Sequence, residues 1–251
     1  MQLIPIKMPL MNGRFDLYTT LINGVRDNNE AIKSNDILVI SSKFVAMSQG
    51  SILEIKNIIP SERAKSLGAR YSLDSRIAQI VIDESDDILG GIEGFILAVK
   101  DGVLAPNAGI DKSNITNGYI ITHPKEPFII AKELRNRFKQ DGKNVGIILN
   151  DSRLMPTRRG TIGVAIGVAG FKPVKDFRGR EDLFGNKLRV TLQAVADSIA
   201  TAANLLMGES NESIPLVIVR DANVEWNDAD LSWSDLAINH EECIYMKSLR
   251  L

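Results

Sequence analysis

The sequence predicts an α+β fold built from mixed or antiparallel sheets with helices, and three observations carry that prediction. Short runs rich in β-branched residues recur along the chain, one tight hairpin is firmly marked, and strands do not alternate regularly with helices. A doubly wound parallel sheet would require that alternation.

The strand-like runs are residues 36–41, 95–99, 119–122, 145–149 and 215–219, each bounded by Gly, Asn or Asp. Asp101-Gly102 separates residues 95–100 from 103–105, and both tolerate the positive φ of a two-residue hairpin turn. Three helices are expected. One starts after Pro60, with Ser61 as its cap. A second carries the apolar stripe Ile130, Leu134 and Phe138 opposite Lys132, Glu133, Arg135 and Arg137. The third spans residues 191–207, where Leu192, Val195, Ile199, Ala202 and Leu206 repeat at three- and four-residue spacing. Residues 83–91, acidic and glycine-rich, read as a solvated loop and a weak division of the chain. No long Pro/Gly/Ser linker supports cutting the chain, so residues 1–251 are expected to form one unit.

A chain of 251 residues, 44% hydrophobic and 24% charged, can bury one large core or two smaller ones. Its 30 basic and 31 acidic residues leave a net charge of −1, which argues against binding a nucleic acid backbone. A single cysteine, Cys243, excludes an internal disulfide framework and a cysteine-based zinc cage, and with only His123 and His240 a histidine-rich metal site is excluded too. The N-terminus lacks the apolar core of a signal peptide and no run of about 18 apolar residues occurs. The expectation is a soluble cytoplasmic protein with no membrane partner.

Three carboxylates stand beside small, amide or hydroxyl side chains: Asp111 within residues 107–114, Asp151 between Asn150 and Ser152, and Glu209 after Gly208. Oxygen ligands in such settings suit a hard cation such as Mg²⁺ or Mn²⁺, and a phosphate-handling metal site is the resulting hypothesis. Each residue also has a plainer role. Asp111 can stabilise its own turn, Asp151 can cap the next element, and Glu209 can be an exposed loop residue. Glu209 follows a helix C-terminus, where a nearby cation would offset the unfavourable pole.

Arg158-Arg159-Gly160 precedes the glycine-spaced apolar run 161–170, where arginines could hold an anion and glycines could admit a ligand or a second backbone. Arg178 and Arg180, in the charged segment 175–185, could bind an anion or form internal ion pairs. Neither a phosphate-binding P-loop nor a dinucleotide fingerprint is present, so any nucleotide is held another way. His123, His240 and Cys243 show no nucleophile pattern and read as structural.

Taken together these segments resemble the coenzyme F420-0:γ-glutamyl ligases, GTP-dependent enzymes of deazaflavin cofactor synthesis. The resemblance spans nearly the whole chain. It rests on residues 60–65, 107–111 with Ser113 and Asn114, Arg159-Gly160 leading to 165–167, residues 182–185, Ala196-Asp197 and residues 205–209. It implies that Asp111, Asp151, Ser152 and Glu209 surround a pair of divalent cations, Mg²⁺ or Mn²⁺, with a monovalent cation such as K⁺ also compatible. It implies that Pro9, Leu10 and Met11, with Ser42, Lys43, Asn114 and the run Met207, Gly208, Ser210, Asn211, Glu212, Ser213 and Ile214, line a guanine nucleotide pocket. The implied fold is two intertwined lobes in a butterfly-shaped homodimer. The implied reaction activates the lactyl carboxylate of the deazaflavin precursor with GTP as an acyl phosphate, which glutamate traps as an amide. A related enzyme acting on another carboxylate, or a non-catalytic nucleotide binder, is the alternative. Two departures from the family pattern fall near the substrates. Leu154 and Met155 stand where the family commonly has Gly-Arg, and Met47 stands where a nucleotide-contacting lysine is often found, with Lys43 close enough in sequence to compensate.

Overall fold

A computed structural model describes residues 1–11 and 13–249. The chain opens with β1 (Gln2–Ile6), α1 (Leu17–Asp27) and β2 (Ile37–Ser41), which runs directly into α2 (Ser42–Gln49). There follow β3 (Ile52–Glu54), α3 (Glu62–Arg70), α4 (Ser75–Glu84), β4 (Asp87–Ile92), β5 (Phe95–Lys100), β6 (Val103–Pro106) and β7 (Tyr119–Ile121). The second half holds α5 (Pro127–Gln140), β8 (Gly146–Leu154), β9 (Thr161–Ala169), β10 (Val174–Asp176), β11 (Leu192–Ala194), α6 (Val195–Met207), β12 (Leu216–Arg220) and α7 (Ile244–Leu249).

The fold is α+β. Its centre is a five-stranded sheet in the order β1-β12-β2-β8-β9, in which only β2 and β8 run parallel. Alternation along the strands sends side chains to two separate cores. Leu38, Ile40, Ile147, Leu149, Leu216 and Ile218 pack with Leu21 of α1, Phe44 of α2 and Leu134 and Phe138 of α5. Ile37, Val39, Ile148, Val217 and Val219 pack on the opposite face with Ala196, Ile199, Ala200 and Ala203 of α6. Because helices cover both faces, the strands read as continuous apolar runs. A third, smaller core of Ala64, Tyr71, Ala78, Val81, Ile96 and Ala98 lies where α3 and α4 meet the β4-β5-β6 sheet.

The expected hairpin is β5-β6, with Asp101 at φ 52° and Gly102 at φ 76°. Ser61 caps α3 by accepting from the Ala64 amide at 3.2 Å. Several expectations need correction. Three further helices, α1, α2 and α4, were not foreseen among residues 17–84, and segment 83–91 is largely strand β4 rather than a loop. Residues 192–194 pair with β10 as β11, so α6 starts at Val195 and Leu192 is exposed instead of belonging to its buried stripe. Arg135 is not on a polar face. It is buried, donates to Val145 O (3.2 Å) and Asn144 Oδ1 (3.0 Å), and pairs with Asp228, so its charge is compensated where a water-facing residue was expected.

The glycines of β9 admit backbone rather than ligand. A Cβ at Gly163 would lie 2.4 Å from Ala200 O of α6, and one at Gly167 would lie 2.6 Å from Pro127 O of α5. Helix α6 therefore seats directly on the sheet, and Thr201 Oγ1 donates to Gly163 O at 2.7 Å across that contact. Gly163→Ala is expected to lower stability by about 1–3 kcal/mol through overpacking, measured by urea unfolding. An unchanged midpoint would show that α6 can move off the sheet.

Candidate active site

The parallel pairing of β2 with β8 brings Ser41, the last residue of β2, opposite Asn150, so the start of α2 and the last residues of β8 share one edge of the sheet. Beyond that edge lies a cleft of about 950 Å³. Asp111, Asp151, Ser152 and Glu209 line it, as do Pro9, Leu10 and Met11, Ser42 and Lys43, Asn114, and the segment from Met207 to Ile214. The residues that the family resemblance implies for the cation and nucleotide sites thus line one cleft. Arg158, Arg159, Arg178 and Arg180 do not line it; Arg178 pairs instead with Asp176 at 2.7 Å, the internal ion pair weighed above.

Asp151 is not at the end of its strand, as the sequence suggested, because β8 continues to Leu154 through pairing with β9. A register irregularity at Leu149/Asn150 marks where the strand changes from apolar to polar. From there alternation divides the side chains. Asn150 and Ser152 bond to groups of α6 and the loop after it, whereas Asp151 and Arg153 bond to groups of α2 and the segment after β7.

Ser42 Oγ donates to Asp151 Oδ1 at 2.9 Å and Arg153 Nε donates to Oδ2 at 2.9 Å. Ser42 is the first residue of α2, so the helix begins on the carboxylate. Arg153 Nη2 also faces His123 Nε2 at 3.2 Å, and Nη1 donates to Leu104 O at 3.3 Å. Burial pushes the His123 imidazole down to about 4; Asp151 opposes that shift, and the Arg153 and Lys100 cations add to it. His123 is therefore neutral near pH 7.

Asp111 lies in a turn that needs unusual backbone. Asn107, Ala108 and Gly109 all have positive φ, and Asp111 forms an isolated bridge with Ile121 of β7. Its Oδ1 accepts from the Ser113 amide at 2.6 Å, and its Oδ2 meets Lys43 Nζ at 2.6 Å. Lys43 Nζ donates also to Ser113 Oγ at 2.7 Å. Burial pushes the Asp111 carboxyl up, but the Lys43 ammonium and the Ser113 amide outweigh it and hold the group below its ordinary value.

Glu209 is held by one oxygen. Ser152 Oγ (2.6 Å), Thr161 Oγ1 (2.9 Å) and Asn204 Nδ2 (2.8 Å) all donate to Oε1, while among the described residues no donor reaches Oε2. The anion after the helix end is thus compensated by three neutral donors, not by a side-chain cation. Since a carboxylate only accepts, it fixes the Asn204 amide, whose Oδ1 then accepts from Asn150 Nδ2 at 2.8 Å. That chain leaves the buried Asn150 Oδ1 without a partner among the described residues.

The loop after α6 closes the cleft. Gly208 has φ 72° and ψ −179°, a conformation restricted to glycine, and the Glu212 carboxylate folds over it to accept from the Ser210 amide at 2.9 Å. Asn114 Nδ2 donates to Ser210 O at 2.6 Å and the Met8 amide donates to Ser213 O at 3.0 Å. Those bonds bind residues 8–11, 111–114 and 208–214 into one rim. Met47 lies one turn beyond Lys43 on α2, half-buried and lining the cleft.

Asn204 and Thr161 carried no motif. Asn204 could have been noticed, since it places an amide on the buried face of α6 among Ala200, Ala203 and Met207. His123 reads as structural in the sequence, and nothing local shows that it meets Arg153.

The sequence profile of the F420-0:Gamma-glutamyl ligase family matches residues 5–221. Coenzyme F420:L-glutamate ligase of Archaeoglobus fulgidus is 36% identical over 251 residues, covering 99% of this chain and 98% of its own length. The enzymes of the same name from Methanocaldococcus jannaschii and Methanosarcina mazei are each 40% identical, over 77% and 85% of this chain and 78% and 83% of their own.

Replacing Lys43 by Met removes the cation that opposes burial at Asp111, so the Asp111 carboxyl should titrate at higher pH than in the parent. Carbon-detected NMR of the carboxyl carbons checks this; an unmoved titration would show that the Ser113 contacts alone hold the group down.

Proposed function

The chain belongs to the F420-0:γ-glutamyl ligase family, and from that premise we propose that it is a GTP-dependent ligase joining L-glutamate, through an amide bond, to the lactyl carboxylate of coenzyme F420-0. The observation that carries this reading is the convergence of Asp111, Asp151, Ser152 and Glu209 on one cleft whose rim is built from residues 8–11 and 208–214.

The chemistry follows from what such a cleft can hold. The lactyl carboxylate attacks the γ-phosphorus of GTP, forming an acyl phosphate and releasing GDP. The glutamate amine then attacks the acyl carbon, the carbon–oxygen bond to phosphate breaks, and the amine gives up a proton as the amide forms. Positioning and charge compensation are what a protein supplies to such transfers.

The donors in the cleft, three carboxylates and a serine hydroxyl, are hard oxygens of the type that Mg²⁺ and Mn²⁺ take. Among the described residues no three His, Cys, Asp or Glu side chains gather closely enough to hold one ion. One or two carboxylates for each ion, with phosphate and water supplying the rest, is the usual arrangement for Mg²⁺ at phosphate sites. Asp111, Asp151, Ser152 and Glu209 would hold two such ions, which offset charge on the nucleotide phosphates. Glu209 Oε2, which no donor among the described residues reaches, is the oxygen best placed to serve. Lys43 brings a further positive charge to the same region, as a nucleotide contact together with Ser42, Pro9, Leu10, Met11, Asn114 and residues 207–214. A homodimer suits the exposed Leu183, Phe184 and Val190, on the excursion between β10 and β11. No helix among the described residues is long and apolar enough to cross a membrane.

Incubation with GTP, Mn²⁺, L-glutamate and the deazaflavin precursor should give a product heavier by one glutamyl residue, read by mass spectrometry. GTP turnover only with other carboxylic acids would point instead to a related amide-forming enzyme. Asp111→Asn and Glu209→Gln should each lower kcat by at least about 100-fold, since a catalytic metal contributes several kcal/mol. A kcat within about threefold of the parent would remove either residue from the ligand set. GTP should raise the melting temperature more than ATP, and only when a divalent cation is present. Equal protection by both nucleotides, or protection in chelator, would count against a guanine pocket built around metal.

A further inference from the structure

We propose that Arg153 and His123 are positioning residues that hold the carboxylates of Asp151 and Asp111 in register across the cleft. The inference rests on the reading of these carboxylates as cation ligands and adds two residues that make no contact of their own with a bound ion. Arg153 is 7% exposed and His123 3% exposed, so a guanidinium is buried here at a cost that only good partners offset. Its partners come from three elements. Nε donates to Asp151 Oδ2 at 2.9 Å on β8, Nη1 to Leu104 O at 3.3 Å on β6, and Nη2 meets His123 Nε2 at 3.2 Å just after β7. A guanidinium can only donate, so His123 Nε2 is the acceptor and the imidazole is neutral in this contact.

The ring carbon next to Nε2 carries the second half of the device. A Cβ at Gly109 would lie 2.9 Å from His123 Cδ2, so the turn that delivers Asp111 rests directly on the ring, and at φ 73° Gly109 can make that approach without backbone strain. One ring thus touches both the Asp111 turn and the guanidinium that holds Asp151. Arg153 occupies Oδ2 of Asp151 and Ser42 approaches Oδ1, so the orientation of the carboxylate is set by two neighbours that line the cleft beside it. Groups that orient a metal ligand in this way typically change metal affinity by about 10–100-fold when removed.

The test is Mn²⁺ binding in the presence of GDP, followed by the loss of the free-ion EPR signal, alongside thermal melting of each variant. Arg153→Lys keeps the charge but loses the planar fork; His123→Leu keeps bulk but loses the acceptor. Each should weaken Mn²⁺ binding about tenfold or more. The double variant should be little weaker than either single one, because both disrupt the same contact. His123→Gln restores an acceptor oxygen and should recover part of the affinity even if its melting temperature stays low. Melting temperatures that fall while Mn²⁺ affinity stays within about twofold of the parent would show that the pair merely stabilises the fold and would overturn the proposal. Strictly additive effects would overturn the coupling. Should the parent itself bind no Mn²⁺ with GDP, the cation reading of the cleft fails, and this inference with it. Should His123→Leu not fold, Arg153→Lys and His123→Gln still decide the matter.

Discussion

The parallel pairing of β2 with β8 is the constraint on which the rest of this site depends. Two neighbouring strands that run the same way finish at the same edge, and whatever follows them must share the space beyond. Here β2 hands over to α2, which delivers Ser42, Lys43 and Met47, while β8 carries on as a polar strand bearing Asp151 and Arg153. The crossover between the two strands is long enough to contain the small core and its β4-β5-β6 sheet, which is how the Asp111 turn arrives opposite the main sheet. An antiparallel arrangement of the same two strands would have placed Ser42 and Asp151 at opposite edges.

Within that frame the carboxylates are treated unequally. Asp111 faces a lysine, Asp151 a buried arginine and a serine, and Glu209 only neutral donors. A formal charge near zero for the whole chain therefore conceals a cleft in which anions and cations interleave at contact distance. Lys43 stands out because it is the cation most readily exchanged. Its ammonium sits on a flexible stem and binds Asp111 as a point charge, whereas Arg153 is fixed by partners from three elements. A polyphosphate entering the cleft could draw the lysine to itself without disturbing the wall behind Asp151.

Much of this was legible in the sequence where local chemistry decides structure. Asp101-Gly102 demanded its turn, Ser61 its helix, and the apolar runs at 36–41 and 145–149 their strands. Helices α1 and α4 were missed although their signals are present: Asp16 accepts from the Thr19 amide and Asp74 from the Arg76 amide, each ahead of an apolar stripe. Residues 192–194 misled because the alternation of a strand and the first turn of an amphipathic helix agree over so few positions, and pairing with β10 settles the choice. The site residues emerged because Asp, Gly, Asn and Ser clustered at element ends. Arg153, His123, Thr161 and Asn204 did not, since each acts through a partner at least 30 residues away, except the short step from Arg153 to Asp151 and from Asn204 to Glu209. Pairings of that kind exist only after the sheet has formed.

The place of β12 bears on how the protein is made. This late strand sits between β1 and β2, both of which are synthesised long before it. Until β12 emerges from the ribosome, β1 has no neighbour in the sheet and β2 is open along one side. At a synthesis rate of about 5–20 residues per second, that exposure lasts on the order of ten seconds or more. An open apolar edge of this kind is a template for pairing with another chain. Nascent molecules thus carry that open edge until their last sheet strand arrives.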